Sequence, residues 1–464
     1  MAADRNITNV TNPGNKVTDK KTLRRVAMAS IIGATIEWYD FFLYGVVASI
    51  VLNKLYFPTG DPATSTMLAY ATFAVGFMAR PLGGVIFGHF GDKVGRKSML
   101  VITLMIMGVS TVAIGLIPTY NQIGYWAPAL LLFFRIIQGI GLGGEWGGAV
   151  LMAYEYAPSN RRGFYTSLPQ IGLSLGVLIS AGFVAGLSAL LTEEQFMAWG
   201  WRLGFVLSFG LVLFGLWIRL KVMETPEFAQ LKQNRGEAKI PFTDMIKRFP
   251  GNILLGLGAR HIDGVFFNIF SVFSISYLTK TIGMTRTDAL IGVMIGAAVL
   301  TVFIPIFGRL SDKVGRPALY TWASILTGLS CFPAFWIMSH AGGNTTLIWA
   351  AIAVPFGIIY AAVYGTVAVF LCELFDARVR YTGISFVYQF SSVIAGGVTP
   401  IVATILLTMN GGKPWLICSY VLGTSVVSSI CAYAIRRRAV AARAAGVEHY
   451  GEIQKTSQAV TSTA

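Results

Sequence analysis

Seven ionisable side chains lie inside long apolar segments of the sequence, where a charge is costly. They are Glu37, Asp40, Arg80, Arg135, Glu145, Arg260 and Asp263. Unpaired and near a bilayer centre, they would together cost on the order of 20 kcal/mol, which exceeds the net stability of a typical protein. We therefore expect them to pair, to face water or to share a proton. Because four are acidic and three basic, one carboxylate could lack a partner, which predicts a titrating site.

Helical spacing predicts which of these charges lie near one another. Glu37 is about 20 Å along a helix from Arg24, near mid-membrane, and Asp40 shares its face one turn further on. Arg135 lies in the outer half of its segment, so we expect it to face Asp40 or Glu37, with Glu145 about 15 Å deeper. Two interpretations remain open, namely a role in proton coupling or substrate binding, and a static ion pair between helices.

A second cluster, Arg260, His261 and Asp263, lies about 14–18 Å into a later segment. The forked guanidinium of Arg260 suits a carboxylate, so it could anchor an anionic substrate, and a structural pair with Asp263 is the alternative. His261 could relay protons, although a lone histidine is more often a hydrogen-bonded structural residue. Arg80 lies near the inner end of its segment, where a snorkelling side chain is the alternative to a functional one.

Aromatic and amide side chains in the same segments could line a cavity for a ring-bearing hydroxy acid. They are Tyr39, Tyr44, Gln138, Gln170, Asn268, Tyr360, Tyr364, Tyr388 and Gln389. Packing or hydrogen bonding between helices is the alternative for each. Gly139, Gly141 and Gly144 have the spacing of a dinucleotide-binding loop, but no strand precedes them, and small residues four apart favour close helix packing.

Composition indicates the scaffold that must hold these residues. The chain has 464 residues, of which 55% are hydrophobic and 12% charged, against roughly 25% charged in an ordinary soluble protein. So few charges cannot cover a soluble surface, which excludes a soluble enzyme and predicts a membrane protein. The net charge of +15 does not indicate nucleic-acid binding, because the basic residues lie in short connectors. We find no nucleophile–base or metal-ligand pattern and expect no cofactor.

Twelve apolar runs are long enough to cross a bilayer as helices and predict an all-α fold of two six-helix bundles. They fall at about 24–52, 66–90, 98–117, 125–155, 163–190, 201–219, 251–280, 287–309, 317–338, 345–372, 379–408 and 414–437. The predicted parts are a tail (1–23), a first bundle (24–219), a charged central loop (220–250), a second bundle (251–437) and a second tail (438–464). Most Lys and Arg residues lie in the tails and on one side, which predicts that both termini are cytoplasmic.

The sequence also repeats itself between the two predicted bundles. The residues GHFGDKVGRK, which begin at Gly88, recur as GRLSDKVGRP, which begin at Gly308. A glutamate–arginine pair also recurs with the same spacing, as Glu155 with Arg162 and Glu373 with Arg380. Two repeats at nearly equal offset predict duplicated halves that lie in the same orientation, related by an axis along the membrane normal.

These repeats resemble the signature loop of the major facilitator superfamily, although the second copy ends in proline instead of a basic residue. Within it, the chain is similar to the metabolite:proton symporter family, and more specifically to shikimate-permease-like members. Its segments that carry this resemblance are Glu37-Trp-Tyr-Asp40-Phe-Phe, Arg80-Pro-Leu-Gly-Gly, Arg135-Ile-Ile-Gln138-Gly, Gly143-Gly-Glu145-Trp-Gly, Trp199-Gly-Trp201-Arg202 and Glu224-Thr-Pro226-Glu-Phe.

The resemblance implies a monomeric carrier in the inner membrane that imports a small organic acid such as shikimate together with a proton. It would work by alternating access between the two bundles. Related substrates remain open, namely a dicarboxylate such as 2-oxoglutarate or citrate, or a zwitterion such as proline or betaine. A sensor on a carrier scaffold that does not transport is the distant alternative.

The resemblance and the spacing together predict three sets of site residues. For proton coupling we expect Glu37, Asp40, Arg135 and Glu145. For the substrate we expect Arg260, Asp263, His261, Tyr39, Gln138, Gln170, Tyr388 and Gln389. For a cytoplasmic gate we expect Gly88, Asp92, Gly95, Arg96, Glu155, Arg162, Asp312, Arg316, Glu373 and Arg380. In this gate the aspartates would accept hydrogen bonds from a helix N-terminus.

Overall fold

The computed structural model describes residues 20–221, 223–233 and 240–444, and these residues contain helices and no strand. Twelve of the helices are long and apolar enough to cross a membrane, which confirms the twelve predicted segments. They are α1 (Lys21–Leu55), α2 (Met67–Lys93), α3 (Arg96–Leu116), α4 (Trp126–Tyr156), α5 (Ser159–Leu190), α6 (Glu193–Leu220), α7 (Pro250–Lys280), α8 (Thr287–Val314), α9 (Arg316–His340), α10 (Thr345–Cys372), α11 (Arg380–Met409) and α12 (Trp415–Ala441).

The two halves of the chain pack their helices in the same pattern. In the first half α1 packs against α5, α4 packs against α2 and α3, and α3 packs against α6. In the second half α7 packs against α11, α10 against α8 and α9, and α9 against α12. The halves meet where α2 lies on α11 and α8 lies on α5. This correspondence is what a duplicated sequence with conserved spacing should produce.

Tight turns at equivalent glycines separate α2 from α3 and α8 from α9. Gly95 has φ 135° and Gly315 has φ 99°, values that glycine adopts without the steric cost of a side chain. Because each turn is short, the aspartate that precedes it stays at the end of its helix. The turns therefore position Asp92 and Asp312 at the same end of the two bundles.

The charged connector between α6 and α7 contains two short helices, Pro226–Gln233 and Pro241–Arg248. Glu224 accepts hydrogen bonds from the backbone N–H groups of Arg96 (3.1 Å) and Lys97 (3.2 Å), and so caps the first turn of α3. The hydroxyl of Tyr156 donates to the Glu224 carbonyl at 2.9 Å. The described part of the connector therefore packs against the bundles. Both predicted tails lie almost entirely outside the described residues.

Candidate functional site

A small cavity, with a volume of about 50 Å³, lies between the halves, midway along the helices that line it. From the first half, α1, α2 and α5 contribute Trp38, Phe42, Phe77, Arg80 and Leu173. From the second half, α7, α10 and α11 contribute Arg260, Asp263, Gly264, Phe267, Asn268, Tyr360, Tyr364, Tyr388, Ser392 and Gly396. Ligand sites in proteins are typically concave, largely apolar and supplied with a few polar groups, and this cavity fits that description.

Arg80 is buried in this cavity and does not snorkel to the interface, so that part of the sequence interpretation is wrong. The reason is that α11 covers the part of α2 that carries it. Its Nε–H donates to Gln389 Oε1 at 3.0 Å, and its guanidinium lies 5.3 Å from the Trp38 ring and 5.2 Å from the Phe77 ring. Among the described residues Arg80 forms no ion pair within 4.0 Å, so its positive charge is not neutralised.

Arg260 and Asp263 form an ion pair of 3.2 Å across one turn of α7. The guanidinium of Arg260 also lies 3.6 Å from the Tyr388 ring centre, and Asp263 accepts a hydrogen bond of 2.5 Å from Tyr360. Two buried nitrogens of Arg260, Nε and Nη1, and the hydroxyl of Tyr364 have no partner among the described residues. The Arg260–Asp263 pair therefore contributes no net charge, yet the Nε and Nη1 donors of Arg260 remain available to a ligand.

Three predicted substrate residues join the halves beside the cavity. Tyr388 stacks on Trp146 with ring centres 3.5 Å apart. Gln170 accepts from Trp146 Nε1 at 2.6 Å and donates to the Tyr364 carbonyl at 3.2 Å, which links α4, α5 and α10. Gln389 holds Arg80 and donates to the Gly143 carbonyl at 2.9 Å. These contacts close one end of the cavity.

Three other predicted substrate residues do not line the cavity. The Tyr39 hydroxyl donates to the Gly204 carbonyl at 3.2 Å, because it faces α6. His261 is half-buried and has no hydrogen-bond partner among the described residues, since it lies on another face of α7 from Arg260. Gln138 is buried within the first bundle, where it contacts Arg135 and Thr111. None of the three is therefore part of the cavity lining.

Asp40 is fully buried, and its only described partners are hydroxyl groups. Ser208 Oγ donates to Oδ1 at 2.5 Å, and Thr111 Oγ1 donates to Oδ2 at 3.1 Å. The expected direct pairing of Arg135 with Asp40 or Glu37 is wrong. Arg135 instead lies 4.1 Å from the Tyr44 ring centre and donates to Gln138, because an amide and a hydroxyl intervene between it and Asp40. The residues that Arg135 contacts were therefore not predicted.

Glu37 and Glu145 share one cation, Arg219, which the sequence analysis did not include among the charges inside the apolar segments. Arg219 pairs with Glu37 at 3.2 Å and with Glu145 at still closer range, and all three are buried. Thr103 Oγ1 donates to Glu145 at 2.6 Å. Arg219 follows Ser208 by about three helical turns, so the two residues share a face of α6. This spacing could have identified Arg219 as a residue that faces the buried carboxylates. Of the carboxylates on α1 and α4, Asp40 is therefore the one that lacks a cation.

At one end of the bundle, which we call the gate end, each repeated aspartate caps a helix of the opposite half. Asp92 accepts from the backbone N–H of Thr382 at 2.8 Å and from its hydroxyl at 2.9 Å. Asp312 accepts from the N–H groups of Gly163 (2.8 Å) and Phe164 (2.9 Å). The predicted capping of helix N-termini is present twice, and Gly88 allows the close approach because it lies against the Thr382 backbone.

The predicted gate charges meet in two groups at this end. In the first group Arg96 lies 3.2 Å from Asp92 and 3.5 Å from Glu155, and Arg380 from the opposite half lies 3.7 Å from Glu155. In the second group Arg316 lies 2.9 Å from Asp312 and also pairs with Glu373. Their side chains are buried or nearly so, which means that this end of the molecule is closed.

Glu227 of the connector joins the first group, and the sequence analysis did not identify it as a gate residue. It pairs with Arg162 of the first half at 3.0 Å and with Arg380 of the second half at 2.5 Å. Burial by itself would raise the pKa of Glu227, but Arg380 and Arg162 together hold that pKa below its ordinary value. The Glu224-Thr-Pro226-Glu-Phe motif, which contains Glu227, was the sequence feature that could have identified this residue. Arg162 therefore pairs with the connector and not with Glu155.

Comparisons with known proteins agree with this architecture. Residues 26–247 match the family model described as Sugar (and other) transporter, and residues 258–455 match the Major Facilitator Superfamily model. The chain is 39% identical to the shikimate transporter of Escherichia coli, with 91% of this chain and 96% of that protein aligned. It is 34% identical to the proline/betaine transporter of Escherichia coli, over 84% and 79% of the two chains.

A second Escherichia coli relative, the inner membrane metabolite transport protein YhjE, is 38% identical over 90% of this chain and 95% of that protein. Among solved structures, the proton:xylose symporter XylE superposes with a TM-score of 0.71 at 18% identity, over 90% of this chain and 96% of that one. At that identity the structural likeness establishes the fold alone.

Proposed function

The chain belongs to the major facilitator superfamily, a family of transporters and not of enzymes, and we propose that it imports a small organic monoanion together with a proton. It is a multi-pass protein of the inner membrane that carries small molecules. The proposed cargo is shikimate or a related hydroxylated carboxylate. Transport proceeds by alternating access, in which the two halves rock about the central cavity.

The observation that carries the proposal is the charge balance of the cavity. Arg80 has no acidic partner among the described residues, whereas the charge of Arg260 is offset by Asp263. One unmatched guanidinium favours a ligand with one negative charge, and it can hold a carboxylate with two parallel hydrogen bonds. Trp38 supplies a ring surface and Tyr364 supplies a hydroxyl, which suits a small ring with hydroxyl groups.

The proline/betaine relatives make a zwitterion the second candidate. An ammonium group would need Asp263 or an aromatic cage, and several aromatic rings line the cavity. Asp263, however, already holds Arg260 and Tyr360. A dicarboxylate would require two free cations near each other, and Arg260 could serve as the second only if its pair with Asp263 broke. The monoanion requires no such rearrangement.

Asp40 is the proposed proton carrier. Burial of a charged carboxylate is costly without a cation, and Asp40 has only the hydroxyls of Ser208 and Thr111 to offset that cost. A proton neutralises the group and removes that cost. We assign Glu37 and Glu145, which share Arg219, to holding α1, α4 and α6 together.

Energetics give the experiment that tests the proposal. Cotransport of one monoanion with one proton is electroneutral, so a pH difference of one unit should drive roughly tenfold accumulation, about 1.4 kcal/mol. A zwitterion with a proton would instead gain about 2.3 kcal/mol per 100 mV. Shikimate uptake should be measured in proteoliposomes under an imposed pH difference or an imposed voltage. We expect accumulation to follow the pH difference alone.

Different outcomes of this experiment point to different functions. Accumulation that survives a protonophore would disprove proton coupling. A response to voltage would favour the zwitterion, with proline and betaine as the next substrates to test. Shikimate binding with no flux under any gradient would indicate a sensor. A mock-reconstituted membrane provides the background rate.

We further propose that the gate end faces the cytoplasm and that Glu227 helps to keep it closed. Replacing Glu227 with glutamine should leave Arg162 and Arg380 without their shared carboxylate and loosen the closed end. Cys372, buried at the end of α10, should then react several-fold faster with a maleimide when the other three cysteines are replaced by serine. Glu194→Gln, at an exposed site on α6, serves as the control. Unchanged labelling of Cys372 would remove Glu227 from the gate.

The same contact predicts a dependence on pH. Because the pKa of Glu227 is lowered in the closed state, its stabilisation of that state is present above the ordinary glutamate pKa. The stabilisation is lost as pH falls through the lowered value. The labelling rate of Cys372, divided by that of a free thiol such as N-acetylcysteine at the same pH to correct for thiol protonation, should therefore rise on acidification of the cytoplasmic side. It should rise less in Glu227→Gln.

A further inference from the structure

A continuous chain of buried hydrogen bonds joins Asp40 on α1 to Arg135 on α4. Thr111 Oγ1 lies 3.1 Å from Asp40 Oδ2, and Gln138 Nε2 donates to Thr111 Oγ1 at 2.8 Å. Arg135 Nη1 in turn donates to Gln138 Oε1. All four side chains are fully buried. Asp40 and Arg135 are therefore connected through the Thr111 hydroxyl and the Gln138 amide, although they do not contact each other directly.

The donors and acceptors in this chain leave one group free to switch. Gln138 is fixed in orientation, because its oxygen accepts from Arg135 and its nitrogen donates to Thr111. The Thr111 hydroxyl has a single proton, and two acceptors lie within its reach: Asp40 at 3.1 Å and the Met107 carbonyl at 2.9 Å. A charged Asp40 attracts that proton more strongly than a neutral one. The protonation state of Asp40 thus determines whether the Thr111 hydroxyl points to Asp40 or to the Met107 carbonyl.

The other end of the chain leads to the cavity. The Arg135 guanidinium lies 4.4 Å from the Phe41 ring centre, and Arg80 lies 5.8 Å from the same ring. The Nε and Nη2 atoms of Arg135 have no partner among the described residues. A single aromatic ring therefore contacts both the arginine at the end of the chain and the arginine that lines the cavity. A shift of Arg135 changes the field and the packing around Arg80.

No described charged side chain forms an ion pair with Asp40, but several charged groups lie on the helices around it. On α1 itself these are Glu37 and the ionisable Tyr39. On packed neighbours they are Arg219 of α6, Glu145 and Arg135 of α4, and Arg80 of α2. Arg219 is already held by two glutamates. Within the membrane, α3 and α5 present uncharged residues to α1. Arg135 is therefore the cation that the hydrogen bonds connect to Asp40.

We propose that Thr111 and Gln138 are positioning residues that couple the protonation of Asp40 to anion binding at Arg80. This inference rests on the proposed function, because it concerns how that function links its two ligands. Coupling between two sites is reciprocal, so protonation of Asp40 and binding of the anion strengthen each other in the intact chain. Removing the hydroxyl of Thr111 breaks the link and leaves both end residues in place.

The test is equilibrium binding of shikimate to the purified full-length protein across a range of pH. In the unaltered protein we expect the affinity to rise about tenfold on acidification, within the usual range of coupling between sites. Thr111→Val, which keeps the shape of the side chain, should bind shikimate with nearly the same affinity at every pH. Thr111→Ser restores a hydroxyl and should restore the dependence on pH. Gln138→Leu should behave as Thr111→Val does.

Thr103→Val is the matched control, because Thr103 lies on the same helix and donates to Glu145 instead of Asp40. It should retain the full pH dependence of binding. If Thr111→Val and Gln138→Leu retain that dependence while the unaltered protein shows it, the inference fails and the proposed function stands. If the unaltered protein binds shikimate with no dependence on pH, both the inference and the proposed proton coupling fail. A variant that no longer binds at any pH would contradict the assignment to positioning.

Discussion

Asp40→Asn should abolish concentrative uptake while leaving exchange of substrate across the membrane intact. Asparagine keeps the size of the side chain, and its oxygen can still accept from one of the hydroxyls of Ser208 and Thr111 while its NH2 group donates to the other, but it cannot take up and release a proton. A carrier locked in the neutral form still binds and exchanges its anion. Under a pH difference of one unit, accumulation should fall from roughly tenfold to none, measured as the ratio of internal to external labelled shikimate in proteoliposomes.

Asp288→Asn makes the same chemical change at a half-buried position at the start of α8 and should keep full accumulation. Preserved accumulation in Asp40→Asn would remove Asp40 from the proton pathway. Glu37→Gln and Glu145→Gln give a further contrast, because each leaves Arg219 short of a partner. We expect them to lower the yield of folded protein, with coupling retained in the molecules that fold. Loss of coupling with normal yield would return those glutamates to the proton-coupling set.

Arg80→Gln should weaken substrate binding more than any other single change in the cavity. Loss of a buried charged partner typically costs 2–5 kcal/mol, so the apparent KM should rise at least roughly 30-fold. Arg80→Lys should recover part of the loss, because lysine keeps the charge but cannot form two parallel bonds with a carboxylate. The measurement is the concentration dependence of exchange, which needs no proton gradient and so isolates binding.

Arg202→Gln is the control for charge removal, because Arg202 bonds the carbonyls of Gly115 and Ile117 away from the cavity. Its KM should not change. If Arg80→Gln leaves KM unchanged while Arg260→Gln raises it, the anion binds to Arg260 as the sequence analysis suggested. In that case the ion pair with Asp263 must open during binding.

The fold was predictable because its determinants are local or repeated in the sequence. Long apolar runs mark the twelve helices, and the duplicated loop marks the two halves. The helix cap that Asp92 forms was predictable for the same reason, since it sits in that loop, and Asp312 in the second copy of the loop forms an equivalent cap. Predicting these features requires only the hydropathy of the sequence, the conformational freedom of glycine and the dipole of a helix.

The partners of the buried charges were harder to predict, because helical rise gives depth but not the neighbour that a face meets. Arg135 and Asp40 lie at compatible depths, yet Gln138 and Thr111 stand between them. Arg219 was not counted among the buried charges because it is the last residue of its predicted segment, beside the charged loop, although its side chain reaches back into the bundle. Arg80 is covered by a helix that lies far away in the sequence. Each of these facts depends on long-range packing.

The two halves share a packing pattern but differ in what their side chains do. The groups around Asp40 come only from the first half, while most of the cavity lining belongs to α7, α10 and α11. If Asp40 carries the proton as we propose, energy conversion belongs to one copy of the duplicated unit, and the other copy is free to diversify. New substrate specificities can then arise through mutations in the second copy, while the residues that couple transport to protons stay unchanged.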